Sequence, residues 1–516
     1  MGPSFLSRLS AALALAALLS PTLARADLIL DDPHLNVIPR SPSEAARIKA
    51  ITAPTSDFTA PEPFEARPAG AATTRARTNA DAFSQASDNI SFERELDFKV
   101  GNGLFRKLWV SAPASTIASD GLGPLYNARG CQNCHLKDGR GHTPQSPEDN
   151  AISMFLRISI PAPQGLFDAQ TAQIQDYIAT LPDPTYGGQL QEFASHGLAA
   201  EYRLGITYSP VEIALNGGEV ITLRAPQYQA RDLGFGPLHP QAMLSPRITP
   251  QMIGLGLLEA IPAGDILAGA DPQDADGDGI SGRANIVPSV EFGRPMLGRF
   301  GLKAGAPSIK EQTAAAFAGD IGISSPLAPA PWGDCTPAQS ACRRAPHGED
   351  SAQDGFEISG EGLDLVTFYS RNLAVPARRD IEDPQVLRGK EIFYQSGCIA
   401  CHTPKFVTHR LDDQPEQSFQ LIWPYSDMLL HDMGDGLADN RPEARATGNE
   451  WRTAPLWGIG LTEQVSGHSN FLHDGRARTL LEAVLWHGGE AQTARDAIVA
   501  SPPADRAALI RFLESL

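Results

Sequence analysis

Apolar and polar positions change texture several times along the chain. A short apolar run from Leu9 to Leu19 follows Arg8 and ends near Ala24-Arg25-Ala26. This is the pattern of an export signal over residues 1–26, with a small-x-small cleavage site and a run too short to span a bilayer. From about Ser41 to Ser87 Pro, Ala, Thr and Ser dominate and no apolar period is sustained. That predicts an extended or poorly ordered arm within residues 27–87. Apolar positions return from Phe92 to Trp109. Between about 158 and 290 the runs shorten and alternate: Val211-Glu-Ile-Ala-Leu215 and Val220-Ile-Thr-Leu-Arg224 flank Asn216-Gly-Gly218, which predicts a β-hairpin. Helical spacing resumes at Val386 to Tyr394 and at Thr479 to Gly489.

These elements predict a mainly α protein of two lobes. The first, residues 88–380, is interrupted by a small β-rich insertion at about 158–290, and the second covers 381–516. The formal net charge of −18 is spread through the chain. It argues against nucleic acid and anionic membranes and suits a basic electron-transfer partner, or simply a soluble acidic exported protein. No later stretch reaches membrane-spanning length.

The chemistry is carried by Cys131-Gln-Asn-Cys134-His135 and its second copy, Cys398-Ile-Ala-Cys401-His402. C-x-x-C-H attaches a c-type haem: two thiols add to the vinyl groups and the histidine becomes the proximal iron ligand. A zinc site or a redox dithiol accounts less well for two distant pairs that both carry the adjacent histidine. Four of the six cysteines are used in this way. Two covalently bound haems make each lobe cytochrome c-like, and agree with export to the periplasm. Gly121-Leu-Gly-Pro124 leads into the first motif, and Asp138-Gly-Arg-Gly141 turns the chain away from it. Cys335 and Cys342 carry no histidine and read as a short-loop disulfide, with a reactive thiol pair as the alternative.

The distal ligand of the second haem is to be chosen among His431, Met433, His473 and His487. Thr479 and Glu482 form a capping box, Gly488-Gly489 stops the helix, and His487 closes its apolar face, which favours His487. An internal repeat sharpens this reading. Arg247-Ile-Thr-Pro250 with Gly254 echoes Arg452-Thr-Ala-Pro455 with Gly458, and Ser308 to Ala316 echoes Thr479 to His487. Ala316 therefore takes the place of His487 in the first half. A methyl group cannot ligate iron; if both helices lie over their haems, the second iron is closed by two histidines while the first keeps an open or weakly held position.

Asp274-Ala-Asp276-Gly-Asp278-Gly spaces carboxylates as a calcium loop does, but the closing acid of an EF-hand is replaced by Asn285. Calcium and a solvated acidic turn are equal alternatives here. Arg247, Arg452 and Arg476 are candidates to pair with haem propionates, with ordinary ion pairs as the alternative.

With Gly121-Leu-Gly-Pro124, Asp276 to Arg283, Gly298-Arg-Phe-Gly301, His431-Asp-Met-Gly434 and His473-Asp-Gly-Arg476 in view, the chain from about Phe83 onward resembles the di-haem oxidoreductase family, also labelled thiol oxidoreductase-like. That family stands within the wider group of bacterial di-haem cytochrome c peroxidases and the tryptophan-tryptophylquinone-maturing di-haem enzyme. The resemblance implies two facing lobes, a catalytic first haem, an electron-relay second haem, and often calcium between them. It also implies an electron-donor protein, such as a small cytochrome c or copper protein, and a small oxidant such as peroxide. The peroxidases carry a ligand methionine where this chain has His487, a departure that supports two histidines on the second iron. Their distal glutamate is matched most nearly by Glu311 beside Gln312, with Glu259 as a second candidate, although Glu311 also fits the capping box of Ser308. A non-catalytic electron carrier and a thiol oxidoreductase acting through Cys335 and Cys342 are the alternative functions.

Overall fold

The computed structural model describes residues 28, 30–146, 149 and 152–516, so the export signal read in residues 1–26 lies outside the described residues. The expected mainly α architecture of two cytochrome c-like lobes is overturned. Only 28% of the described residues are helical and 18% are strand, and the strands are scattered over many small sheets. The cause is in the composition: 47 glycines and 42 prolines interrupt nearly every apolar run, and the longest helix among the described residues, Phe92–Phe105, has 14 residues. Loops and two-stranded ribbons carry the rest.

The hairpin expected around Asn216-Gly-Gly218 forms and is longer than its alternating runs. Arg203–Ala214 and Val220–Arg231 pair antiparallel along their whole lengths, and Gly217 and Gly218 take positive φ in the loop. Beside it, Met154–Pro161 is the centre of a three-stranded sheet with Met243–Ile248 and Thr180–Leu181.

Each half contains one pair of packed helices that backs onto its C-x-x-C-H motif. In the first half Phe92–Phe105 crosses Gly360–Arg371 at Gly101, where any Cβ would strike the Leu365 carbonyl. In the second, Pro384–Gln395 crosses Pro503–Ser515 at Gly389, against the Ala508 carbonyl. Phe105 then lies 6.0 Å from the ring of His135, and Phe393 lies 6.0 Å from that of His402. The two halves meet with approximate twofold logic. Gly254 faces the indole of Trp457, the residue before Gly458, and Gly458 faces Ile253, the residue before Gly254. Ile253 and Trp457 belong to one apolar core that also takes in Phe83, Leu257, Ile309, Leu429 and Leu461.

The N-terminal segment is not loose. Ser41 and Glu44 form a reciprocal capping box that starts an 11-residue helix, Pro42–Thr52, inside the stretch expected to be extended or poorly ordered. The segment is pinned to the second half by pairing of Val37–Ile38 with Arg410–Leu411, and by ion pairs from Glu62 and Glu65 to Lys390 and Lys405, while Glu65 also pairs with Arg378 just before the second half begins. Asp32 joins both halves, pairing with Arg299 and His409.

Candidate functional site

Both C-x-x-C-H motifs open onto one cavity of about 710 Å³. In the first, Cys131–Cys134 is a single helical turn entered from Gly130, whose missing side chain lets the Lys107 carbonyl approach. In the second, Gly397 at φ 86° starts the turn Cys398–Ala400. The Nδ1–H of His135 donates to the Pro250 carbonyl at 3.0 Å, and that of His402 to the Tyr425 carbonyl at 2.8 Å. A carbonyl on Nδ1 fixes the tautomer with the lone pair on Nε2, the arrangement of a metal-ligating imidazole. Burial pulls both rings down to about 4, which keeps them in the neutral, ligating form. The four thiols are free, and burial pushes Cys131 and Cys398 up to about 12. Two thiol pairs, two oriented neutral histidines and a largely apolar chamber fit the haems that the sequence implies.

The four distal candidates, His431, Met433, His473 and His487, all line this cavity. His431 has both nitrogens engaged, Nδ1 with Glu490 at 2.6 Å and Nε2 with Asp427 at 2.8 Å. Burial opposes its charge, yet the bonds to Asp427, Cys401 and Glu490 outweigh it and raise the ring to about 12. His431 is thus a fixed cation 3.5 Å from Cys401 Sγ, with no nitrogen left for iron. His473 stacks on Trp451 at 3.9 Å and is neutral, since burial lowers it to about 4. His487 follows the helix Leu480–Leu485, and its Nδ1–H donates to the Ala483 carbonyl at 2.7 Å, which leaves Nε2 with the lone pair. It stands close enough to His402 for the two charges to oppose one another.

The internal repeat holds in three dimensions. Phe300 bridges to Ala306 and Phe471 bridges to Ala477 at a constant sequence offset. Gly301 and Leu472 take positive φ at matching places, as do Ala304 and Gly475. Ser308 and Thr479 each cap a helix by accepting from the backbone N–H three residues on. The same offset sets Ala316 against His487, and both line the cavity.

The other predicted residues divide. Gln312 lines the cavity, but Glu311 and Glu259 are not among its lining residues. Glu311 accepts from Ser289 Oγ at 2.5 Å and Val290 N at 2.9 Å. Glu259 accepts from Ile309 N at 2.8 Å and pairs with Arg371 at 2.9 Å. Arg476 is held by Asp474 away from the cavity lining, and Arg247, on the lining, is neutralised by Glu443 at 2.7 Å. Arg452 lines the cavity with the carbonyls of Gly301 and Thr453 and the Met428 sulfur as partners and no carboxylate ion pair, and burial lowers it to about 10. Arg140, which sequence reasoning passed over, is alike: it lines the cavity, bonds only the carbonyls of Asn470 and Leu472, and is lowered to about 10 by burial. Its signal was its place in the turn directly after the first motif. A buried guanidinium without a carboxylate partner is suited to a propionate.

Among the acidic-turn residues, Asp274 and Asp276 converge with Asp271, their ligand atoms lying within 4.8 Å of one another. Asp278 turns aside to accept from Ile280 N at 2.8 Å and reaches the cavity lining. Cys335 and Cys342 form a disulfide buried against Leu125, and neither lines the cavity. Among the described residues no helix is long and apolar enough to cross a membrane.

The sequence model of a family described as "Di-haem oxidoreductase, putative peroxidase" matches residues 65–516. No curated protein matches. Among solved structures, a chain of Kuenenia stuttgartiensis hydrazine synthase, determined under xenon pressure, is similar at 19% identity and a TM-score of 0.21. The match covers 32% of this chain and 57% of that one, a little over half its length.

Proposed function

We propose that this chain, which belongs to the di-haem oxidoreductase family, is an exported periplasmic peroxidase carrying two covalently attached c-type haems. Membership establishes haem cofactors and oxidoreductase class, and the finer assignment rests on the residues. Cys131 and Cys134 would hold the first haem and Cys398 and Cys401 the second, with His135 and His402 as proximal ligands. His487 would close the second iron opposite His402, so that this haem relays electrons. Arg140 and Arg452 would pair with propionates. When bound, the haem with an open position supplies a redox-active iron to which a small oxidant such as peroxide can bind.

The observation that carries this reading is the pairing of Ala316 with His487 in the repeat. Around Ala316 the wall is made by Gln312, Thr313 and Ala315, and none of these is a strong iron ligand. Glu443, held well below the usual carboxylate range by Arg247 and Arg441 against the cost of burial, balances Arg247 on the cavity lining and Arg441, which is not on it. Asp271, Asp274 and Asp276 are read as a calcium site, tied through Ser281 to Glu490 and so to His431. The test is peroxide-dependent oxidation of a reduced small cytochrome c or copper protein by the purified haem-loaded chain. Turnover that is lost in the His135→Gly variant supports the reading; absence of peroxide-dependent turnover with either donor class overturns it.

A further inference from the structure

Four acidic side chains line the cavity: Asp278, Asp320, Glu443 and Glu490. Glu443 is paired with Arg247 and Arg441, Glu490 is paired with His431, and Asp278 lies on the exposed acidic turn. Asp320 is different. Its Oδ1 accepts from Gln189 Nε2 at 2.7 Å, and among the described residues no hydrogen-bond donor engages its Oδ2 and no ion pair forms, although the Arg157 guanidinium acts on it through space.

The chain places this carboxyl deliberately. The helix Ile309–Ala316 runs directly into a π-helical turn, Phe317–Ile321, a local widening found often at functional sites. Gln312, Ala316 and Asp320 follow at intervals of one turn and all line the cavity. The Asp320 carbonyl accepts from Asn127 N at 2.8 Å and Ala128 N at 3.0 Å, which ties the turn to the segment entering Cys131. A charge on Asp320 pushes up the thiols of both Cys131 and Cys134, so the carboxyl stands beside the first attachment site. In the second half the same sequence register sets Ala491 against Asp320. The half that has the ligand His487 lacks the acid, and the half that has the acid lacks the ligand.

We infer that Asp320 is the acid–base residue of the first haem chamber, giving a proton to the departing oxygen of a peroxide bound there. This rests on the peroxidase reading above and supplies the group that Glu311 and Glu259 do not. Burial, which Gln189 and Arg157 only partly offset, shifts the carboxyl toward its protonated form, the direction an acid–base residue needs. Per turnover one peroxide takes up two protons and two electrons, its O–O bond breaks, and both oxygens leave as water. The two electrons come from the one-electron donor protein. Asp320 supplies the first proton and is reprotonated from solvent.

The test uses the haem-loaded chain and its Asp320→Asn and Asp320→Glu variants. Asn keeps an oxygen for Gln189, so both haem spectra and the melting temperature stay as in the wild type. Two rates are read over pH: consumption of the high-spin signal by peroxide, and association of cyanide, which binds ferric haem after its acid form gives up a proton to a nearby base. Asp320→Asn is expected to slow both by about 100- to 10,000-fold, and Asp320→Glu to restore part of the rate with a shifted pH profile. Cyanide association unchanged in Asp320→Asn overturns the inference, whatever peroxide does. A wild type inert to peroxide, with cyanide association still slowed in Asp320→Asn, supports the acid–base role and removes the peroxidase reading instead.

Discussion

His431 shows how a residue that looks like a ligand becomes something else. Two carboxylates, Asp427 and Glu490, hold its ring as a buried cation beside Cys401. Its folded value of about 12 lies above the ordinary 6.5. The stability it contributes is therefore fully present below pH 6.5 and is lost as pH rises toward 12. The melting temperature of the wild type should fall with pH across this window, and the His431→Gln variant should start lower and show a flatter profile. At the second iron, His487→Ala should turn a low-spin signal into a high-spin one and leave the signal of the first haem unchanged. The two C-x-x-C-H motifs were visible in the sequence because their residues are contiguous, and the structure brings both to one cavity. Glu311 and Asp320 could not be ranked in the sequence, because one is satisfied by Ser289 and Val290 from a distant loop and the other is presented by a π turn that no periodicity announces.

At the scale of elements, the long hairpin reaches out of the first half to support the helix that leads to His487. Leu215 and Leu223 pack on Leu485, and Arg224 donates to the carbonyls of Gly475 and Arg476. Tyr228 donates to Asp474 at 2.7 Å. Leu223→Ala should cost about 2–5 kcal/mol by the usual cost of a core cavity, measured by denaturant unfolding, and should broaden the low-spin signal of the second haem. Alternating apolar runs were enough to find this hairpin, but not its docking site, since period-2 patterning says which face is buried and not what buries it. The acidic turn gives a second test at this scale. Calcium at one hundred times its dissociation constant should add about 2.7 kcal/mol, seen as a higher melting temperature that a chelator reverses and that Asp274→Asn removes. A melting temperature indifferent to calcium leaves a solvated turn.

Across the whole molecule, the reciprocal contacts of Gly254 with Trp457 and of Gly458 with Ile253 fix how the halves face one another. Both glycines have φ of 73°, so an added Cβ meets both strain and a neighbour. Gly254→Ala should destabilise by about 1–3 kcal/mol, read from denaturant midpoints, and disturb both haem signals together, unlike Leu223→Ala. The sequence repeat made the two halves legible, including the exchange of Ala316 for His487. The mainly α expectation failed because helical spacing at a few stretches was extended to the whole chain, whereas most of the cavity wall is built from turns and short ribbons. The N-terminal segment was illegible for a related reason: its order comes from distant partners, Lys390 and Lys405 on the far half and Arg378 just before it, and not from a core of its own.

In the proposed function one open and one closed haem share a single chamber. Low-temperature electron paramagnetic resonance of the oxidised protein, alone and with excess peroxide, distinguishes this arrangement from its alternative. One high-spin signal consumed by peroxide, beside one low-spin bis-histidine signal, is the predicted result. Two low-spin signals indifferent to peroxide, before and after half-reduction, would contradict it and leave a carrier of electrons.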